Sequence, residues 1–105
     1  MNRFYLKTGD TSPSLEYALS PASVDLTDAT VFFNMRGRDG VKISRAAAVV
    51  VTPTGSPTVR YDWQASNTDV PGSFTAEFEV VYPGGAIETF PNRDFILVTI
   101  TEDIA

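Results

Sequence analysis

Apolar residues recur at every second position along much of this chain. Phe74, Ala76, Phe78, Val80 and Tyr82 form the longest such run, and Val59, Tyr61 and Trp63 form another. A period of two belongs to half-buried antiparallel strands, with one face on a core and the other toward water. No segment keeps a 3.6-residue period over three turns, so helices are not expected to build the fold.

The pattern predicts strands at Arg3–Thr8, Leu15–Leu19, Thr30–Met35, Val41–Ser44, Thr58–Trp63, Ser73–Tyr82, Ala86–Phe90 and Phe95–Thr101. Seven glycines and seven prolines separate them, acting as turn punctuation because proline fixes φ and glycine tolerates positive φ. Arg38-Asp39-Gly40 reads as a hairpin, with Asp-Gly in the turn positions. Ala46–Thr52 is ambiguous. Its alanines suit a helix, but three consecutive valines favour a strand buried on both faces. The Gln64–Gly72 connection has room for one helical turn at Ser66–Asp69. Eight or nine short strands about ten residues apart predict an all-β antiparallel sandwich, with a small barrel as the alternative.

At 105 residues one domain, 1–105, is expected, with a single core. The chain has no cysteine and no histidine. That removes disulfides, thiolate metal sites and the usual acid–base side chain, so no cofactor and no enzymatic activity are expected. The net charge of −5 and pI near 4.4 argue against nucleic-acid binding, which calls for a basic surface. The first residues lack an apolar signal core, and no run is long enough to span a bilayer. The expectation is therefore a soluble protein made in a cytoplasm, with no membrane partner.

Few residues invite a chemical reading. Glu77 and Glu79 share a strand face, with Glu88 placed to approach across the hairpin. Paired carboxylates can act as acid and base, but the wet face of a strand explains them more simply. Asp25 and Asp28 read as turn residues rather than cation ligands. No serine has a histidine to activate it. Tyr5, Tyr17, Tyr61, Trp63 and Tyr82 raise the possibility of a sugar-stacking platform and hence a host glycan as ligand, against the simpler reading of Tyr61 and Trp63 as core.

One charge pattern stands out. Residues 36–45 carry four basic residues against one acid, net +3, which leaves −8 on the rest of the chain. Arg36, Arg38, Lys42 and Arg45 are therefore candidate partner contacts, and Glu102 and Asp103 are their acidic counterparts near the other end of the chain. Lysine and arginine on a hairpin also discourage edge pairing.

Several strings resemble the N-terminal domain of tailed-phage baseplate upper proteins. They are Phe4–Pro13 (FYLKTGDTSP), Val24–Arg36 (VDLTDATVFFNMR), Val59–Trp63 (VRYDW), Asp69–Val80 (DVPGSFTAEFEV) and Glu88–Pro91 (ETFP). The resemblance spans nearly the whole sequence and implies an immunoglobulin-like sandwich of about 7–9 strands, with no active-site residues. Baseplate upper proteins continue beyond the point where this sequence stops. The resemblance thus implies a non-enzymatic structural component of a virion, in the tail, baseplate, connector or capsid surface. Its expected partners are other virion structural proteins, in multiple copies, after synthesis in a bacterial host's cytoplasm. A carbohydrate-binding adhesion module is the alternative expectation.

Overall fold

The structure is a computed structural model that describes residues 2–104. Among the described residues the chain forms nine strands. They are β1 (Arg3–Lys7), β2 (Leu15–Ala18), β3 (Thr30–Gly37), β4 (Gly40–Ala47), β5 (Val49–Thr52), β6 (Thr58–Tyr61), β7 (Gly72–Val81), β8 (Ile87–Phe90) and β9 (Ile96–Thr101). A 3-10 turn, Ala65–Asn67, interrupts the connection from β6 to β7. The strands make an immunoglobulin-like β-sandwich. Its larger sheet runs β1-β9-β7-β3-β4, with β8 also on β7, and its smaller sheet runs β2-β6-β5.

β7 is the spine of the larger sheet. Its alternation places Phe74, Ala76, Phe78 and Val80 inward. Along one edge it pairs with β3 from Thr75 to Val81. Along the other, its first half pairs with β9 and its second half with β8. Ten residues give β7 the length to hold two partners end to end, at about 3.3 Å per residue.

The core lies between the sheets. Phe33, Val59, Phe78, Val80 and Val98 have no exposed surface, and Leu15, Leu26, Phe90 and Ile96 have almost none. Phe33 of β3 stacks on Tyr61 of β6 at 4.3 Å between ring centres, and lies 5.0 Å from Phe78. Trp63 meets Phe33 and Tyr61 edge-on and stacks with Phe4. Beneath them, Asn67 Oδ1 accepts hydrogen bonds from the Tyr61 hydroxyl and the Gln64 N–H, both at 2.8 Å. Buried Thr68 donates its hydroxyl to the Asp10 carbonyl, and its own carbonyl accepts the Gly9 N–H. The 3-10 turn is thereby tied to the end of β1.

Four local expectations need correction. First, Ala46–Thr52 is not one strand buried on both faces. β4 ends at Ala47 and β5 begins at Val49 in the other sheet, so the chain changes sheets at Ala48. Val49 and Val51 of β5 are exposed, because β5 is an edge strand paired only with β6. Second, the hairpin loop is Arg38–Asp39, closed by the Gly37–Gly40 pair. Of residues 38–40 only Gly40 has positive φ, so Asp-Gly does not fill the turn. Third, β1 runs parallel to β9, from Arg3 opposite Leu97 to Lys7 opposite Thr101. Every other pairing is antiparallel. Fourth, Glu88 lies opposite Val80, on the inward face with Phe90, and does not join Glu77 and Glu79.

Glu88 instead accepts a hydrogen bond from the Tyr82 hydroxyl at 2.8 Å. Burial, then this bond and the carboxylate's charge, push the Tyr82 phenol up to about 12 from 10.0. Burial also raises Tyr17 and Tyr61. A raised acid favours its protonated form in the folded state. Its contribution is therefore complete below pH 10 and fades as pH climbs toward about 12. Denaturant titrations across that window are expected to record falling stability, with a shallower fall in Tyr82→Phe.

Gly37 has no room for a side chain. A Cβ there would lie 2.7 Å from two carbons of the Phe74 ring. Gly37→Ala must push that ring off its place beneath the hairpin. The expected cost is about 1–3 kcal/mol in chemical denaturation, the usual range for overpacking.

Candidate functional site at the β3–β4 hairpin

The basic segment 36–45 forms the end of β3, the hairpin loop and most of β4. Its four cations do not act alike. Lys42 Nζ bonds to Asp69 Oδ1 at 2.5 Å, which pins the hairpin to the loop before β7. Arg45 folds over the outer face of the larger sheet, its guanidinium carbon 4.3 Å from the centre of the Phe32 ring. Its Nε also lies 3.4 Å from Glu79 Oε1, close enough to attract but not aligned to donate.

Arg45 takes this place because the backbone bulges there. The β3–β4 register shifts on either side of Met35, and Arg45 adopts φ 47°. Asn34 Oδ1 accepts the N–H that the bulge withdraws from the ladder, at 2.7 Å. Such bulges twist an edge strand away from further pairing. Lys42 and Arg45 are thus structural cations.

Arg36 and Arg38 are different: among the described residues neither makes an ion pair. Arg36 points to the outer face, opposite Val41 on β4 and Thr75 on β7. Arg38 occupies the loop. Two depressions flank the hairpin. One, of about 310 Å³, lies on the outer face and includes Asn34, Arg36, Val41, Glu77 and Phe95. The other, of about 390 Å³, lies between the hairpin and the 70–74 segment and includes Arg38, Val41, Lys42, Val70 and Pro71. They share Val41, which is 68% exposed, and Val70 stands 51% exposed in the second. The guanidiniums of Arg36 and Arg38 thus border an exposed apolar strip of Val41 and Val70.

The acidic candidates lie at the same end. β7 pairs its Thr75 with Arg36 and its Gly72 with Ile100, so β3 and β9 both finish near the start of β7. Glu102 and Asp103 follow directly, are exposed, and make no ion pair among the described residues. The Asp103 N–H reaches the Thr8 hydroxyl at 3.3 Å. The sequence left Val70 and Phe95 out of this site. Val70, beside a turn proline, carries no periodic signal, Phe95 reads only as the start of the last strand, and the pairing of β7 with β3 and β9 sets both near the hairpin.

The other candidates disperse. Glu77 and Glu79 share the outer face, but Glu79 serves Arg45. Asp25 caps the Thr27 N–H at 2.9 Å in a turn. Among the described residues no group of three or more Asp, Glu, His or Cys side chains converges as a metal site. Trp63 is 3% exposed and Tyr61 is buried, so they cannot present a stacking platform. Of the five aromatics read as a stacking platform, these two belong to the core instead. Trp63 Nε1 is buried without a hydrogen-bond partner, and the structure offers no reason for this.

No family model and no curated protein matches the sequence. Among solved structures, CopC from Methylosinus trichosporium OB3b matches with a TM-score of 0.57 at 10% identity, over 100% of this chain and 89% of that one. The likeness establishes the sandwich fold. It also overturns the expectation of a structural component of a tailed-phage virion. The same architecture belongs to a protein of another description, and a fold does not carry a function with it.

The Lys42–Asp69 contact has a pH signature. The hydrogen bond from Lys42 holds the Asp69 carboxyl below its ordinary value of 3.8, and Ser14 and Arg60 do the same for Asp62. A depressed acid stabilises the fold above its unfolded pKa, and that contribution is lost as pH falls through the folded value. Acid unfolding of Asp69→Asn, followed by circular dichroism, is expected to be less steep below about pH 4 than that of the unaltered chain. Both partners are solvated, so the difference should shrink at high salt.

Proposed function

We propose that this chain is a non-catalytic recognition domain that binds an acidic, partly apolar stretch of a partner polypeptide at its hairpin end. The observation that carries this is the pairing of two arginines, Arg36 and Arg38, that make no ion pair among the described residues, with the exposed apolar strip of Val41 and Val70. Arginine beside apolar surface is the composition of recognition patches, where the guanidinium supplies directional donors and the apolar groups supply area.

The β-sandwich supports such a role by rigidity. β3 and β7 are locked by seven register pairs, and the Lys42–Asp69 contact fixes the hairpin to the neighbouring loop. The surface is therefore preformed, which lowers the entropy cost of binding. A peptide fits better than nucleic acid. Two arginines match a few carboxylates, whereas holding a phosphate backbone takes a broad basic surface that a domain of net charge −5 lacks. Catalysis finds no support in a chain that holds no histidine or cysteine.

Amide chemical shifts provide the test. A short peptide of alternating glutamate and leucine is expected to shift residues 36–42 and 69–74, and the lysine–leucine counterpart is not. Arg36→Gln with Arg38→Gln should weaken the first interaction by about tenfold, the scale of two partly screened ion pairs. Shifts elsewhere, or binding indifferent to both arginines, would refute the proposal.

A further inference from the structure

The segment after β9 matches the hairpin end in chemistry. Glu102, Asp103 and Ile104 present two carboxylates followed by a fully exposed isoleucine. The hairpin end presents two guanidiniums and then an apolar strip. Among the described residues the segment's side chains engage nothing on their own domain: all three residues are exposed, and the contact made is through the Asp103 backbone N–H to the Thr8 hydroxyl.

We infer that the hairpin end receives this segment from a second copy of the chain, by reciprocal exchange. The inference rests on the proposed recognition surface and names its occupant. In the exchange, Glu102 and Asp103 of one copy face Arg36 and Arg38 of the other, and Ile104 enters the depression walled by Val41 and Val70.

The topology favours exchange over a chain of copies. Giving and receiving groups lie at one end of the larger sheet, because β3 and β9 both finish beside the start of β7. A two-fold axis at that end satisfies both contacts at once, as a self-complementary interface requires. Three extended residues span about 10 Å, enough to cross between abutting ends. Reciprocity doubles the ion pairs while the two contacts share one cost of association. The same arrangement also covers Ile104, the most exposed large apolar side chain among the described residues of each copy.

The test is a charge exchange followed by sedimentation equilibrium. One variant carries Arg36→Glu and Arg38→Glu, and the other carries Glu102→Arg and Asp103→Arg. The unaltered chain is expected to dimerise with concentration, more strongly at low salt. Each variant alone should associate at least about tenfold more weakly, and an equimolar mixture should recover both contacts. Ile104→Ser, which leaves every charge in place, should weaken association by several-fold. An unaltered chain that stays monomeric, or a mixture no stronger than its components, overturns the inference. If the glutamate–leucine peptide still shifts the hairpin amides in that case, the recognition surface stands and only its occupant is wrong. If the peptide binds nowhere, the surface itself falls.

Discussion

The contact on which this molecule depends is the stack of Phe33 on Tyr61. Phe33 belongs to the larger sheet and Tyr61 to the smaller, and their rings meet at 4.3 Å, nearly parallel. Around them Phe78, Trp63 and Phe4 close the space between the layers. The smaller sheet has only three short strands and cannot persist unless its apolar face is buried. Aromatic packing supplies that burial, adding ring-to-ring attraction to the area removed from water. Because the joint is firm, β3 emerges from the core in a fixed direction, and so does the hairpin at its end.

From that joint outward, each constraint hands geometry to the next. β7 fixes β3 on one side and β8 and β9 on the other. Gly37 permits Phe74 to fill the space under the hairpin. The bulge at Arg45, capped by Asn34, spends one cation on the sheet's outer face, and Asp69 spends another. What remains at the tip is a pair of arginines with no internal duty. The site is defined by subtraction: a segment of net +3 keeps only the charges that the fold does not use.

The alternation of β7 made both its length and its inward face legible, and Val59, Tyr61 and Trp63 were legible as core for the same reason. The sheet switch at Ala48 was not. A run of alanines and valines looks the same whether it is buried or lies along an edge, and only pairing decides between them. Nor does local sequence reveal that β1 lies parallel to β9, since their partnership spans the whole chain. The basic hairpin was visible as a charge pattern, yet its division into two structural and two free cations needed the positions of Asp69 and Glu79. The reading as a virion component rested on resemblance, and the sandwich fold it implied is shared with CopC.

The central claim is that the hairpin end is a recognition surface occupied by a second copy. Because the chain has no cysteine, a spin label can be placed at Asp39→Cys alone. Labelled chain mixed with unlabelled, nitrogen-15 chain reports only contacts between copies. The account predicts broadening of the Glu102, Asp103 and Ile104 amides in the second copy. Broadening absent from that segment, or centred on another surface, would contradict it.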